Sequence, residues 1–334
     1  MGCPNQCVFC NQRTISGVSE FRIEDVRKQI DNALTTIDPT QNVEIAFFGG
    51  SFTGIDRNLM ISLLDLANQY ILCGRVSSIR CSTRPDYIDP EVLGVLKRYN
   101  VKTIELGLQS TVPGVLESSK RGHTFEDEER ACRMIVDSGF GLVGQMMIGL
   151  PGSTLDDEIR TARFIVESGA SGARIYPTVV FHGTELCEMA KSGLYEPLGL
   201  DDAVERSARV LEILYDNSVE VIRIGLCASD NLYDEEKYYA GPNHPALGEM
   251  VENALIYNKI KNDLDENKIY DNTILTVFVA KGAISKAIGQ KKGNKARLIR
   301  EYGFADVKFK EEKNLSGYEL EIKEERKRNV FKIT

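Results

Sequence analysis

The sequence predicts an α/β fold built around a parallel sheet, followed by a small α+β domain. From residue 43 to about residue 178, short β-rich runs alternate with helical patterns, which is typical of βα units. Glycines follow the first and fourth of these runs, at the edge where parallel sheets bind their ligands. Near the C-terminus, a pattern of strand, helix, basic loop, helix and two strands indicates a separate unit.

The predicted strands are short and rich in β-branched residues. They are Val43–Phe48, Ser77–Ser82, Lys102–Leu108, Gly141–Ile148 and Ala173–Val179. The predicted helices have apolar residues at helical spacing, often with Gly, Asn or Asp near their ends. They are Glu24–Ile37, Leu59–Ile71, Glu91–Tyr99, Glu126–Ser138 and Leu155–Ser168. A helix over residues 201–217, a strand over 219–224 and a helix over 245–261 follow.

These elements divide the chain into three predicted parts: a core over residues 1–185, an extension with a linker over 186–268, and a C-terminal module over 269–334. The charged run KIKNDLDENK at 259–268 is interpreted as the linker. The module is predicted to contain strand Thr273–Val279, helix Ile284–Ile288, loop 289–294, helix Lys295–Tyr302, and strands Ala305–Phe309 and Tyr318–Ile322.

Composition narrows the class of protein. The chain has 334 residues, 42% of them hydrophobic, so it can bury a sizeable core. No run of 18 apolar residues and no basic-then-apolar leader is seen, so we expect a cytoplasmic protein with no membrane partner. The net charge is −8, yet residues 281–334 carry 15 Lys and Arg against 8 Asp and Glu, and such a basic tail can bind nucleic acid. Oligomeric state is not predicted.

Three of the eight cysteines, Cys3, Cys7 and Cys10, share the loop CPNQCVFC with CxxxCxxC spacing. Three thiolates can hold three irons of a four-iron, four-sulfur (4Fe-4S) cluster and leave the fourth iron open to a small molecule. A zinc knuckle and a chance grouping are the alternatives, but zinc requires a fourth protein ligand, and no nearby His or Cys supplies one. The loop therefore predicts a reactive cluster, with Phe9 as a neighbouring cofactor contact.

Together with segments downstream, this loop resembles that of the radical S-adenosylmethionine (SAM) superfamily. The resemblance implies a partial (βα)6 barrel, a 4Fe-4S cluster whose open iron chelates SAM, and one-electron cleavage of SAM to a 5′-deoxyadenosyl radical. It also implies an electron donor such as ferredoxin or flavodoxin. In the superfamily the loop follows the first barrel strand, for which residues are missing before Cys3. We expect that the chain starts downstream of its natural start, rather than that the barrel lacks this strand.

The segment FFGGSFTG at 47–54 ends the first strand with paired glycines. Glycines let the backbone approach a ligand closely, and a strand edge presents carbonyl groups to an ammonium group. The superfamily resemblance places the amino group of SAM here, at Gly49, Gly50 and Ser51. A tight βα turn is the alternative interpretation.

Four further segments most closely resemble the radical SAM domain of the Elongator catalytic subunits, which modify the wobble uridine of tRNA. The segments are STRPDYI (82–88), ELGLQS (105–110), SKRGHT (119–124) and MMIGLPG (146–152). The resemblance covers about residues 1–260. It implies that Gln109 and Ser110 lie near the SAM ribose or carboxylate, that Arg84 lies near the cluster, and that Gly149 to Gly152 lie along the adenine.

The sequence departs from Elongator in two respects. Elongator has a longer insert between its first two cluster cysteines, and it ends in an acetyltransferase domain. The last 65 or so residues here lack a Gly-rich turn for pyrophosphate, so acetyl-CoA chemistry is not implied.

Candidate catalytic residues are Gln109, Glu105, Arg84 and Tyr176. Gln109 can both donate to and accept from ribose hydroxyls, and Arg84 can bind a carboxylate through two hydrogen bonds. Structural alternatives stay open: an Arg84–Asp86 ion pair at the end of a strand, and a core position for Tyr176. A proton carrier is one interpretation of His123, and a histidine that braces its loop is the other.

The C-terminal module resembles a KH domain, in which a GxxG loop between two helices clamps the backbone of about four single-stranded nucleotides. The expected RNA contacts are Gly289, Lys291, Lys292, Gly293, Lys295 and Arg297. The spacing here is GxxxG, one residue longer than the usual loop. A basic helix in a small α+β cap is the alternative.

The function that these patterns predict is radical modification of an RNA base, most plausibly in tRNA. One rival is a small-molecule enzyme resembling the oxygen-independent coproporphyrinogen oxidases. The other is a non-catalytic iron-sulfur protein that binds RNA, which would not require the Gly-Gly and Gln-Ser segments.

Overall fold

The computed structural model describes residues 6–10, 22–226, 236–267 and 273–325. Cys3, a predicted cluster ligand, lies outside these ranges. The described residues pack as two compact units, the first within 6–206 and 210–245 and the second within 207–209 and 246–325. The boundaries proposed at residues 185 and 268 stay predictions.

A parallel sheet forms the curled half-barrel of the first unit, and among the described residues its order is β1-β2-β3-β4-β5-β7. Its strands are β1 (Glu44–Phe47), β2 (Ser78–Thr83), β3 (Val101–Gln109), β4 (Gly141–Ile148), β5 (Gly172–Pro177) and β7 (Glu220–Ile224). A small antiparallel ribbon joins β6 (Val180–Phe181) to β8 (Tyr238–Ala240). The predicted partial parallel barrel is confirmed.

Helices connect the strands of the first unit. They are α1 (Ile23–Thr36), α2 (Arg57–Leu72), α3 (Pro90–Arg98), α4 (Pro113–Ser118), α5 (Phe125–Asp137), α6 (Leu155–Glu167), α7 (Glu185–Lys191) and α8 (Leu200–Asp216). Capping boxes explain where two of them begin. The hydroxyl of Thr124 accepts from the backbone N–H of Asp127, and the hydroxyl of Thr154 accepts from the backbone N–H of Asp157. In return, the carboxylate of each aspartate accepts from the backbone N–H of its threonine.

The two faces of the sheet differ in chemistry because successive side chains of a strand alternate. One face is apolar, and its side chains include Ile104, Met146 and Ile175, which are fully buried. Gly144 makes room there for α6, since a Cβ at this position would lie 2.8 Å from a carbon of Ile165. The other, inner face carries polar and charged side chains, so it is the face that can accept a polar ligand.

The second unit contains α9 (Leu247–Asn267) and a three-stranded sheet with the order β10-β9-β11. Strands β9 (Ile274–Val279) and β10 (Asp306–Glu311) are parallel, and β11 (Leu320–Glu325) runs antiparallel to β9. Between β9 and β10 lie α10 (Ile284–Ile288), a single 3-10 turn over residues 290–292, and α11 (Gly293–Tyr302). The order of elements predicted for the module is therefore observed.

The predicted linker at 259–268 is wrong for residues 259–267, which belong to α9. Ile260 and Leu264 are four residues apart and both are fully buried, so one side of this charged run faces the core. The charges lie on the solvent side, where Lys261 pairs with Asp265 at 2.5 Å. The short elements α4, α7, β6 and β8 were not predicted.

No described helix has the length and hydropathy needed to span a lipid bilayer.

Candidate functional site

The described part of the cysteine loop is anchored by backbone hydrogen bonds. The N–H of Val8 donates to the carbonyl of Ser119 at 3.2 Å, and the N–H of Leu186 donates to the carbonyl of Val8 at 2.8 Å. Cys7 is buried, and a turn in which the N–H of Cys10 donates to its carbonyl at 3.0 Å brings the two cysteines together. Phe9 is partly buried and packs against the apolar cluster around Val8 rather than standing free in solvent.

Two buried guanidinium groups converge on the sulfur of Cys7. Arg84 Nη1 lies 3.7 Å from the Sγ atom, and Arg121 Nη1 lies 3.4 Å from it. Both arginines are almost completely buried, at 2% and 6% exposure. Two cationic donors therefore face this sulfur atom, which is an arrangement that suits a cysteine bound to an anionic metal cluster.

The two arginines are held in different ways. Arg84 is paired with Asp86 through two parallel hydrogen bonds of 2.8 and 3.0 Å, and it also donates to the carbonyl of Arg121. The Arg84–Asp86 ion pair considered from the sequence therefore forms, and it orients the guanidinium of Arg84 towards Cys7. Arg121 instead donates to the carbonyl of Gly107 at 2.5 Å, at the end of β3.

A buried pair lies behind these arginines. His123 Nε2 is 2.8 Å from Glu128 Oε1, and both side chains are inaccessible to solvent. Burial, reinforced by Arg121 and Arg84, lowers the pKa of His123 to about 3. Burial also raises the pKa of Glu128 well above its usual value. Both shifts favour the uncharged forms of the two side chains, and this buried contact favours the bracing role considered for this histidine.

Gln109 combines backbone strain with an unsatisfied acceptor. Its φ angle is +71°, a conformation that costs a non-glycine residue about 1 kcal/mol, and it follows an irregularity in the pairing of β3 with β4. Its Oε1 atom is buried without a hydrogen-bond partner in the described part of the chain. Its Nε2 atom and the guanidinium of Arg121 both lie beside Gly107. Strain and an orphaned acceptor together indicate a ligand contact.

The Gly-Gly segment forms an open turn directly after β1. Gly49 has a φ angle of +92°, and a Cβ added there would meet no atom of the described residues within 4 Å. Gly50 has a φ angle of +150°, and Ser51 is buried. The space at Gly49 is what a ligand that approaches the backbone requires. After the end of β3, Ser110 is also buried, and its hydroxyl accepts from the N–H of Val112 at 3.3 Å.

The GLPG turn after β4 is braced from within the first unit. The N–H of Gly149 donates to Glu158 at 2.7 Å, and the hydroxyl of Tyr195 donates to the carbonyl of Gly149 at 2.7 Å. Arg206 fixes Glu158 through its Nε atom at 2.7 Å and its Nη2 atom at 2.5 Å. Gly152 has a φ angle of +75°. The turn is therefore rigid, as a surface that supports a ligand must be.

A polar network crosses the inner face of the sheet. Glu105 is completely buried and accepts from Arg174 at 2.6 and 3.1 Å, from Arg80 at 3.0 Å and from Gln145 at 3.0 Å. Arg80 also binds Glu44 at 2.6 and 2.9 Å. The network links β1 to β5 across the sheet, and each buried charge in it has an opposite partner.

Two aromatic side chains flank this network. The guanidinium of Arg174 lies 5.2 Å from the ring centroid of Phe48, which is 51% exposed. The side chain of Tyr176 hydrogen bonds with Arg174. The inner face thus presents a cation, a hydroxyl and an exposed ring close together, which suits a polar, planar substrate.

The basic loop lies in the second unit. Lys291 and Lys292 are exposed and have left-handed φ angles of +52° and +63°. Gly289 has a φ angle of +78°, and a Cβ there would lie 3.0 Å from the backbone nitrogen of Asn294. Gly293 is helical and has open space around it. The first glycine is therefore required by the turn, and the second is not.

The other two predicted RNA contacts already have partners within the second unit. Lys295 pairs with Asp306 at 2.8 Å, and Arg297 stacks 3.8 Å from the ring of Tyr257. Arg297 also approaches Glu301 at 3.4 Å. The two loop lysines are consequently the more available charges.

The predicted site residues fall into three groups. Cys7, Arg84 and Gln109 meet around Arg121, and Glu105 and Tyr176 meet through Arg174. Of the other described ones, Phe9 and Cys10 lie in the cysteine loop, and the rest lie at the strand-end turns, in the basic loop or in α11. Cys3 lies outside the described residues. Sequence reasoning missed Arg121, Arg174 and Glu158; the signal for Arg174 was a charge inside the apolar run ARIYP.

The donors around Cys7 fit an anionic iron-sulfur cluster, because two buried cations face one sulfur. The unsatisfied oxygen of Gln109 and the open backbone at Gly49 fit a polar ligand beside it. Both features lie at the carboxyl ends of parallel strands, where such sheets bind ligands. The groups present can hold an anion and orient a small molecule with hydroxyl groups.

Comparison with known proteins identifies the family of this chain. The family model described as the radical SAM superfamily matches residues 1–165, and the radical SAM C-terminal domain matches residues 170–257. The archaeal Elp3 of Methanocaldococcus infernus, solved with an N-terminal deletion, superimposes with a TM-score of 0.61 and 25% identity, over 72% of this chain and 59% of that one.

Curated relatives share part of the sequence. The chain is 30% identical over 187 residues to the tRNA uridine(34) acetyltransferase of Methanocaldococcus jannaschii, covering 50% of this chain and 35% of the relative. It is 35% identical over 139 residues to human Elongator complex protein 3, covering 41% and 25%. The matched stretches thus span a quarter to about a third of these relatives. From the cysteine loop, the half-barrel and these matches, the chain belongs to the radical SAM superfamily, whose members use a 4Fe-4S cluster and SAM.

Proposed function

We propose that this radical SAM enzyme modifies a base of RNA, most specifically of tRNA. The observation that carries the chemistry is the convergence of Arg84 and Arg121 on Cys7, next to the unsatisfied oxygen of Gln109. The similarity to enzymes named for tRNA uridine supports the substrate. The chain acts as a transferase, and an electron donor such as ferredoxin or flavodoxin supplies the reducing electron.

Each group in the first unit has a proposed role. Cys3, Cys7 and Cys10 hold the cluster. The cluster and SAM, when bound, supply a 5′-deoxyadenosyl radical. Gln109 accepts a hydrogen bond from a SAM hydroxyl, which satisfies its buried oxygen. Gly49, Gly50 and Ser51 receive the amino end of SAM, and Ser110, Gly149 and Gly152 border the nucleoside end.

The inner face provides the substrate surface. Arg174 is fixed by Glu105 and bonded to Tyr176, and the Phe48 ring beside it is half exposed. Aromatic stacking stabilises an unpaired base by about 1–3 kcal/mol. A flipped or single-stranded base can therefore stack on Phe48 while polar groups of the network bind its edge.

The second unit delivers the RNA. Its order of strand, helix, loop, helix and strand resembles that of a KH core, and the loop between the helices exposes Lys291 and Lys292, which supports this role. We propose that this loop binds the sugar-phosphate backbone of a single-stranded RNA segment. Sequence-independent contacts of this kind position the RNA, and the first unit selects the base.

The cofactor part of the proposal is tested by anaerobic reconstitution. The parent should bind about four irons and release 5′-deoxyadenosine on reduction. The variants Cys7→Ala and Cys10→Ala should lose both properties, whereas Cys73→Ser, which alters an exposed cysteine, should keep them. Full SAM cleavage by Cys7→Ala would contradict the assignment.

The substrate is tested by mass spectrometry of tRNA nucleosides from a deletion strain. The proposal requires that one modified nucleoside disappears and returns on complementation with the parent gene, but not with the Cys7→Ala gene. Intact tRNA nucleosides, together with active SAM cleavage in vitro, would instead favour a small-molecule substrate such as a porphyrinogen. Filter binding to tRNA and to porphyrins then separates these two cases.

A further inference from the structure

Arg121 is a buried cation without a carboxylate partner in the described part of the chain. Its Nη1 and Nη2 atoms donate to the sulfur of Cys7 and the carbonyl of Gly107, at 3.4 and 2.5 Å. Its Nε atom is buried and has no hydrogen-bond partner among the described residues. Only 6% of the residue is exposed. Such a group costs several kcal/mol unless an anion lies beside it.

The neighbouring acids do not supply that anion. Glu128 is bonded to His123, and burial raises its pKa against the opposing effect of Arg121, which disfavours the charged carboxylate. Asp86 is engaged by two hydrogen bonds from Arg84. Among the described residues, the sulfur of Cys7 is therefore the group in contact with Arg121 that can balance its charge.

We infer that Arg121 is the counter-cation of the bound cluster and raises its reduction potential through the hydrogen bond to Cys7. A positive donor on a cluster sulfur stabilises the reduced cluster, which carries one more negative charge, more than the oxidised one. Arg121 is thus a positioning and tuning residue. The inference holds for any substrate, since it concerns the cluster alone.

Arg84 should have a smaller effect than Arg121. Its charge is largely balanced by Asp86, and its nitrogen is farther from the sulfur, at 3.7 Å. The two arginines can therefore be compared directly: among the described residues, the charge of Arg84 is neutralised by a carboxylate, and that of Arg121 is not.

The test is a redox titration of the reconstituted cluster, followed by electron paramagnetic resonance. In Arg121→Gln, the ratio of reduced to oxidised cluster at a fixed potential should fall about tenfold, which for one electron equals a shift of about 59 mV to more negative potential. Arg121→Lys keeps the charge and should recover part of the shift. Lys120→Gln removes an exposed charge from the adjacent position, where Lys120 pairs with Glu185, and should leave the potential unchanged.

A second measurement covers the case in which Arg121→Gln does not retain its cluster. Cluster-free Arg121→Met should be at least as stable to heat as the cluster-free parent, because an unbalanced cation has been removed. A merely structural arginine predicts the reverse, a large loss of stability in the cluster-free form. That loss, or an unchanged potential in a fully loaded Arg121→Gln protein, would overturn the inference.

Discussion

Arg174 binds Glu105 through two parallel hydrogen bonds, Nε to Oε2 at 2.6 Å and Nη2 to Oε1 at 3.1 Å, on the inner face of the sheet. Glu105 is completely buried, and Arg80 and Gln145 complete its set of donors. This carboxylate of β3 therefore holds together side chains from three other strands, β2, β4 and β5. Its charge is the centre of the inner-face network.

Removing that charge should destabilise the protein. In Glu105→Gln, Arg174 loses its carboxylate partner and stays buried, so we expect the free energy of unfolding to fall by about 3 kcal/mol. Urea denaturation of the cluster-free protein measures the change. Glu91→Gln breaks an exposed pair with Arg57 and should cost less than about 1 kcal/mol. Similar losses in the two variants would contradict the structural role of the network.

The two glycines of the GLPG turn should differ in their tolerance of alanine. Both have left-handed φ angles, +76° at Gly149 and +75° at Gly152. A Cβ at Gly149 would also lie 2.4 Å from Leu198 Cδ1, whereas at Gly152 it would meet only Ser118 Oγ, at 3.9 Å. Gly152→Ala should lower the free energy of unfolding by about 1 kcal/mol and Gly149→Ala by roughly 3 kcal/mol. Equal effects would mean that Leu198 moves aside freely.

The buried His123–Glu128 pair should make the free energy of unfolding depend on pH. Burial raises the folded-state pKa of Glu128, so its contribution is present below pH 4.5 and is lost as pH rises through the folded-state pKa. Burial lowers the pKa of His123 to about 3, so the contribution of the neutral ring is present above pH 6.5 and is lost as pH falls towards 3.

The variant Glu128→Gln isolates the first of these effects. The stability advantage of the parent over Glu128→Gln should be larger at pH 5 than at pH 8, as measured by urea denaturation at each pH. The exposed neighbour on the same helix, Glu129, supplies the control variant Glu129→Gln, whose difference from the parent should change little. An advantage that grows with pH would show that Glu128 is ionised in the folded protein.

Local pattern predicted most of the fold, because each element carries its own periodicity. Strand β4 has the predicted bounds, and α6 ends one residue before its predicted end. The segment at 259–267 was misassigned because its charges conceal the four-residue spacing of Ile260 and Leu264.

Part of the site could not be predicted in the same way. Arg121 meets Cys7 across 114 residues of sequence, a contact that depends on tertiary packing. The sequence motif SKRGHT contains both Arg121 and His123, and from the sequence a chemical role was considered only for His123. Burial, which decides that His123 is neutral and that Arg121 lacks a partner, is a property of the folded chain alone.

The two glycines of the basic loop give a further pair of variants. Gly289→Ala combines a φ angle of +78° with a close approach to the backbone of Asn294, so it should destabilise the second unit by roughly 2 kcal/mol. Gly293→Ala lies in a helical conformation with open space around it and should be neutral or stabilise by up to about 1 kcal/mol. Thermal unfolding of the full chain measures both changes.

The last prediction concerns Lys291 and Lys292. Both are exposed at the turn between α10 and α11, whereas Lys295 is paired with Asp306. The double variant Lys291→Asp, Lys292→Asp should therefore weaken RNA binding at least tenfold at about 0.15 M salt, where exposed charges are only partly screened. If both lysines contact phosphates of a single strand, the slope of log affinity against log salt should also become shallower by about 1.4.

The matched control keeps the charge: Lys291→Arg, Lys292→Arg should bind RNA nearly as well as the parent. Iron content and uncoupled SAM cleavage should survive in both variants, because the lysines are exposed and support no buried contact. That dissociation separates a loop that delivers RNA from a structural cap, since a damaged cap would lower stability and activity together. If the aspartate variant binds tRNA as tightly as the parent, the basic loop is not the RNA contact, and the small-molecule substrate becomes the better explanation.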